Sequence, residues 1–262
     1  MKKTSLCSAI IAPVISLLSF SQVSYADDLY GAELYSLDSV LYGKFVFRMK
    51  MVSEPGVVSS FFTYDNLSWQ GDDYPWREID FEAIGIESDL LQTNLITGDL
   101  YDKETSEETA EVENLSQYHI FTLEWTPDSV VWKVDGVAVR TELAEDSEQV
   151  TDLQGTPQTY RSNLWISESE EWVGEIDVSQ LPLYQVIDWM EYYSYVDEDE
   201  FEFEWRDDFT WFDTSRWAAG DWTFDTNMVT FDPSNLAVIN GELVFALTSG
   251  EPGIDVSDYQ GE

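Results

Sequence analysis

The chain reads as an all-β protein, an antiparallel sandwich or jelly roll. Three observations point there. Short runs of alternating apolar and polar residues recur along the sequence, turn residues separate them, and no long window carries a 3.6-residue apolar period. Residues 1–26 come before this pattern. Lys2 and Lys3 give a positive start, an apolar run extends from about Ile10 to Phe20, and Ser24-Tyr25-Ala26 places small residues where a signal peptidase cuts. The expectation is a secreted product, extracellular or periplasmic, with no membrane association after cleavage. Residues 27–262 are then expected to form one domain.

The strands follow in order. In Gly43–Val52, Phe45, Phe47, Met49 and Met51 share one face, and Lys44, Arg48 and Lys50 the other. Val57–Tyr64 and Glu78–Ile84 come next, then Tyr118–Trp125 and Ser129–Val134. Asp135-Gly136 is a hairpin turn signal leading into Val137–Arg140. Tyr160–Ile166, Val186–Tyr195 and Glu242–Leu247 complete the set. The polar, acidic stretch Asp99–Asn114 reads as a surface loop. Asp197–Glu204 reads as a solvated linker running into an edge strand.

Composition removes several functions. The 262 residues hold 12 Lys+Arg against 52 Asp+Glu, a formal net charge of −40 that repels phosphate backbones and argues against nucleic-acid binding. Aromatics at 15% argue against disorder. One Cys and one His exclude an internal disulfide framework, Cys-based metal sites and multi-histidine sites. No Gly-x-Ser-x-Gly elbow accompanies His119, so that residue reads as structural.

The sharpest chemical signal is Glu78-Ile79-Asp80-Phe81-Glu82. On a strand, Glu78, Asp80 and Glu82 project from one face, and Ile79, Phe81 and Ala83 from the other. Crowded carboxylates repel each other, which raises at least one pKa. Two carboxyl groups with separated pKa values are what a glycosidase needs: one as acid/base and one as nucleophile or base. A solvated acidic face and a divalent-cation site remain open alternatives at this level, although three acids in line surround a cation poorly. A sugar cleft also needs ring platforms and hydroxyl-binding groups. Candidates are Phe62, Tyr64, Trp165, Trp172 and Trp222, with Asn66, Gln92, Asn94, Arg161 and Asn163. Alternation puts Phe62 and Tyr64 on one face, and Arg161, Asn163 and Trp165 on another shared face. Polar groups sharing a face with a Trp suit a cleft better than a core.

These residues bring a family into view. Glu78-Ile79-Asp80-Phe81-Glu82 resembles the Glu-x-Asp-x-Glu signature of glycoside hydrolase family 16. Tyr42-Gly43-Lys44-Phe45, Gly56–Tyr64 and Trp125-Thr126-Pro127 with Trp132–Gly136 are similar to its bacterial lichenase branch. The resemblance covers about residues 30–248. Lichenases normally open with a segment like Trp205–Phe209 and Gly220-Asp221-Trp222, which here comes last, so the order resembles a circular permutation of about residues 205–248.

The resemblance implies a β-jelly-roll with a concave cleft and retaining endo-hydrolysis of mixed-linkage β-1,3-1,4-glucan by a monomer. Glu78 would be the nucleophile, Glu82 the general acid/base and Asp80 the assisting carboxylate. Glu33, Phe62, Tyr64, Asn66, Gln92, Asn94, Arg161, Asn163, Trp165, Asp221 and Trp222 would bind the polymer. No catalytic cofactor is implied, but a structural calcium on the convex side is, at positions matching Asp188, Asp208 and Gly241, partly through main-chain carbonyls. The unbulged motif resembles lichenases and xyloglucan-active enzymes rather than laminarin or galactan enzymes. Another polysaccharide, or a non-catalytic lectin on the same fold, are the alternatives. Arg77 departs from the family pattern beside Glu78; it would either lower a neighbouring carboxylate's pKa or point into solvent.

Overall fold

The computed structural model describes residues 28–71, 73–197, 200–257 and 259; the segment read as an export signal lies outside them. Sixteen strands are seen among these residues. They are β1 Leu29–Ser36, β2 Gly43–Lys50, β3 Val57–Tyr64, β4 Glu78–Ile84, β5 Leu90–Gly98, β6 Lys103–Glu111, β7 Tyr118–Trp125 and β8 Ser129–Val134, followed by β9 Val137–Leu143, β10 Thr159–Ile166, β11 Leu183–Tyr195, β12 Phe201–Asp207, β13 Trp217–Ala219, β14 Thr230–Phe231, β15 Leu236–Ile239 and β16 Glu242–Ser249. The α-helices are short, α1 Glu148–Asp152 and α2 Glu170–Val173. Among the described residues no helix is long and apolar enough to cross a membrane.

Hydrogen bonding runs in one path, β6-β5-β4-β3-β10-β1-β16-β11-β2-β7-β8-β9. The path folds into two layers. The first, β6 to β1, carries the acidic motif; the second, β16 to β9, packs beneath it. Phe61 of β3 lies 5.5 Å from Phe45 and 4.2 Å from Phe47 of β2, and Phe81 of β4 lies 5.5 Å from Phe121 of β7. These rings are fully buried. Trp132 of β8 is buried too, and its indole Nε1 donates to the Asp80 carbonyl oxygen at 2.9 Å. One indole thus fills the core and satisfies its polar handle on the strand that carries the acids.

The two layers differ in how they meet water. β2 alternates as its sequence predicts, with Phe45, Phe47 and Met49 inward and Lys44, Arg48 and Lys50 half-buried outside. β3 and β10 are instead buried at every position. One of their faces rests on the core and the other is covered by cleft side chains.

Two strands of the first layer, β1 and β5, were not foreseen, and the surface loop expected over Asp99–Asn114 is corrected. Its Lys103–Glu111 part is the edge strand β6, paired to β5 from Leu90↔Glu111 to Gly98↔Lys103. An edge strand needs only backbone partners, so its side chains stay in water and leave no apolar alternation to read, while its acids discourage further pairing. The expectation for Asp197–Glu204 holds in its described part. β12 pairs with β11 alone and continues along the edge that β16 occupies lower down.

The first and last strands meet. Leu29 and Tyr30 pair with Ser249 and Thr248, and Gly250 N donates to Asp28 O at 2.8 Å. Fully buried Asn235 sits at this seam, with its amide nitrogen 3.1 Å from Tyr30 O and 3.0 Å from Ala246 O.

Candidate active site

β4 lies inside the first layer, between β3 and β5, and the register aligns its acids with residues of four other strands, β3, β5, β10 and β1. Glu82 stands opposite Ser60 and Gln92, and the row continues through Asn163 to Glu33. Asp80 stands opposite Phe62 and Asn94, in a row that runs through Arg161 to Tyr35. Glu78 stands opposite Tyr64 and Ile96. The period of two that put three acids on one face of β4 also puts Phe62 and Tyr64 on that face of the sheet, with Arg161 and Asn163 beside them.

Burial makes this row chemically unusual. Asp80 is 4% exposed, and Glu78 and Glu82 are partly exposed. Desolvation is the largest influence on all three and raises each pKa, because the charged form loses water. The charges of Glu78 and Glu82 push Asp80 well above the carboxylate range. Its hydrogen bond to Glu78 raises Asp80 and lowers Glu78, so Asp80 is the proton donor of that pair. Glu78 is further held toward its ionised form by the Trp76 indole, whose Nε1 donates to Oε2 at 2.6 Å, and by the charges of Lys103 and Arg161. Glu82 has no such partners. Burial, then Glu78 and Glu107, push it up to about 8. The strand therefore holds a glutamate whose partners oppose its desolvation, one buried donor and one acid that keeps its proton at neutral pH.

Arg161 organises the adjoining wall. Its Nη1 donates to Glu33 Oε1 and its Nη2 to Asn66 Oδ1, both at 2.7 Å, and its guanidinium lies 5.1 Å from the Tyr64 ring and 5.9 Å from that of Trp222. Burial pushes Glu33 up to about 7 against the lowering pull of Arg161. Ser60 Oγ donates to Asn163 Oδ1 at 2.6 Å, and Asn94 Oδ1 accepts from Ser106 N at 3.1 Å. Trp172 donates to Gln92 Oε1 at 3.1 Å and lies 6.1 Å from Trp165. Tyr35 lies 5.2 Å from Trp222. The substrate-binding candidates thus fall on one sheet face and its rim, with Asp221 exposed beside Trp222 at the outer end.

Several neighbours were missed by reading residues singly. Trp76 lies two positions before Glu78 on the same face, which alternation would have flagged. Ser60 and Glu107 follow only from register. Lys103 was hidden in the expected loop. Arg77 meets neither expectation: its Nη1 donates to Trp76 O at 2.6 Å, and the charges facing it are Asp152 and Asp65. His119 bonds Asp135 Oδ2 at 2.7 Å and Asn114 O at 3.1 Å, a structural role that ties β7 to the hairpin turn.

The calcium positions were tested by donor chemistry. Carboxylates suit calcium. Asp188 Oδ2, however, already pairs with Arg48 Nη1 at 2.6 Å, and Asp208 Oδ1 with Arg206 Nε at 2.6 Å. Gly241 lies in the turn between β15 and β16. Among the described residues no group of three or more acidic, His or Cys side chains is arranged to hold a metal ion. Both carboxylates face guanidinium groups, so a calcium ion here would rest on main-chain carbonyls or displace those pairs.

A row of buried acids with unlike partners, set among aromatic rings and hydroxyl-binding side chains, has the form of a glycoside-cleaving centre. Comparison with known proteins agrees. The family described as glycosyl hydrolases family 16 matches residues 17–191. The chain is 43% identical over 255 residues to a beta-glucanase of Fibrobacter succinogenes, covering 95% of this chain and 72% of that protein. It is 32% identical over 158 residues to a beta-glucanase of Bacillus subtilis, covering 60% of each. Among solved structures, Bacillus licheniformis beta-glucanase matches at 30% identity with a TM-score of 0.46, covering 55% of this chain and 63% of that one. The chain belongs to glycoside hydrolase family 16.

Proposed function

We propose that the protein is a secreted endo-β-1,3-1,4-glucanase acting by retaining double displacement. The observation that carries this reading is the β4 row, in which the Trp76 and Asp80 hydrogen bonds and the charges of Lys103 and Arg161 oppose the desolvation that raises Glu78, while burial, Glu78 and Glu107 all raise Glu82. In the first step a Glu78 carboxylate oxygen attacks the anomeric carbon as the glycosidic C–O bond breaks, and Glu82 passes its proton to the leaving oxygen. In the second, Glu82, now ionised, takes a proton from water, whose oxygen attacks the same carbon and frees Glu78. Asp80 donates its hydrogen bond to Glu78 while that residue is charged. Tyr64, Phe62, Trp165 and Trp222 supply faces for glucose rings, and Arg161, Asn163, Gln92 and Asn94 supply polar contacts. Beta-glucanase relatives and the unbulged motif support mixed-linkage glucan as substrate.

The test is the product profile on barley β-glucan and lichenan beside laminarin, xyloglucan and carboxymethylcellulose. Short oligosaccharides from mixed-linkage glucan are expected, with little release from the others. Dominant activity on laminarin or xyloglucan would overturn the substrate assignment. Residues 27–262 are read as one permuted domain. The meeting of β1 and β16 supports this, as does the drop in matched length from 95% of this chain with the Fibrobacter protein to 60% with the Bacillus subtilis one. A structural calcium at Asp188, Asp208 and Gly241, held partly by main-chain carbonyls, belongs to the same reading. Tm is expected to be higher in excess calcium than in EDTA, and an unchanged Tm would overturn the ion.

A further inference from the structure

We propose that Lys103 is a positioning residue for Glu78, acting across the face of Trp76 from the neighbouring edge strand. The proposal rests on Glu78 being the nucleophile and goes beyond that reading by assigning what holds it. Between Arg77 and Lys133 the sequence contains no other Lys or Arg than Lys103. This single cation sits at the head of β6, in register with Gly98, and its Nζ lies 3.2 Å from the centre of the Trp76 ring. The placement is set by backbone. Trp76 N donates to Gly98 O at 2.8 Å, which ties the turn carrying Lys103 to the segment entering β4. Gly98 has φ 87°, and a Cβ there would lie 2.3 Å from Asp102 O, so the turn is tight and depends on glycine.

A cation over an indole face is attracted by the ring quadrupole, and it draws electron density from the ring, which strengthens the indole N–H as a donor. That N–H is the one bonded to Glu78 Oε2 at 2.6 Å. Tyr64 packs on the same indole at 5.3 Å, so the ring is fixed between a phenol and an ammonium. Lys103 therefore acts on Glu78 in two ways: through space, as a positive charge, and through Trp76, by orienting and sharpening a donor. The charged and titratable groups facing Glu78 from the surrounding strands are Asp80 and Glu82 on β4, Tyr64 on β3, Arg161 on β10, Glu33 on β1 and Lys103 on β6. Arg161 is already engaged by Glu33 and Asn66; of the two cations facing Glu78, Lys103 is the one with no carboxylate bonded to it among the described residues.

The experiment measures kcat and KM on barley β-glucan from pH 4 to 9 for the parent enzyme, Lys103→Met, Lys103→Arg and Glu78→Gln, with Tm as the folding control. Removing the charge makes Glu78 harder to ionise. The acidic limb of kcat/KM for Lys103→Met is expected to move up by about half to one pH unit, a roughly three- to tenfold loss on that limb. The plateau, KM and Tm should change little, and Lys103→Arg should keep the parent limb. A Lys103→Met limb that coincides with the parent's, or a Lys103→Arg limb displaced as far as that of Lys103→Met, overturns the proposal. An active Glu78→Gln overturns the nucleophile assignment itself. An inactive Glu78→Gln beside an unmoved Lys103→Met limb overturns only the role of Lys103.

Discussion

β4 and β6 lie two places apart in the same sheet, and both are studded with acids. β4 presents Glu78, Asp80 and Glu82; β6 presents Glu104, Glu107, Glu108 and Glu111. Their side-chain chemistry is the same and their surroundings are opposite. β4 is flanked on both edges, rests on Phe47 and Phe121 through Phe81, and is roofed by aromatic rings. β6 is the rim, with its glutamates exposed. The difference teaches that acidic residues become reactive here through the layer that encloses them. In a chain with 52 acids, desolvation within this layer sets apart the three on β4 and Glu33 on β1.

The strongest way to break this comparison is to neutralise one acid on each strand. Glu78→Gln and Glu82→Gln are each expected to lower kcat on mixed-linkage glucan by about 10²–10⁴-fold or more. Glu108→Gln on β6 should stay within about twofold of the parent. Comparable losses on the two strands would show that the enclosure of β4 does not matter. A finer test uses pH. Glu82 holds its proton up to about 8, so kcat/KM should fall along an alkaline limb near that value as the general acid is lost. Stability follows with a defined sign. The folded pKa lies above the unfolded value of 4.5, so the fold binds the proton more tightly, and the Glu82 contribution shrinks as pH rises from about 4.5 toward about 8. Glu82→Gln removes the charge that must be buried at high pH. Its Tm should therefore exceed the parent's by about 2–4 °C at pH 8.5, and the gap should close near pH 5. A Tm below the parent's at pH 8.5 would mean that Glu82 is not desolvated as described.

Legibility followed the same division. β7 and β8 begin and end where alternation predicts, and so do β3 and β4, although their outer face is covered by the cleft. β1 and β5 did not. Glu33, Gln92 and Asn94 are buried polar residues facing the cleft opposite Ala32, Leu34, Leu91 and Leu95, so both faces are covered and the polar side is not a solvent side. Their site roles came from the family resemblance rather than from periodicity. β6 gave the reverse problem, a strand with almost no apolar residue. The Glu78-Asp80-Glu82 row was readable because a period of two needs no knowledge of neighbours. The partners that tune it, Trp76 apart, come from other strands and depend on register, which local sequence does not contain.

The seam between β1 and β16 also sets an order of events. Glu33 is the first site residue to be synthesised, yet the strand that carries it pairs at Leu29 and Tyr30 with residues more than 200 positions later. The wall that Arg161 and Glu33 form beside the acids therefore has no complete frame until β16 has been made. A growing chain carries a long stretch of unpaired strand before it can close, and such distant pairing makes closure slow. The frame of the cleft is thus complete only when strands from both ends of the described chain have paired.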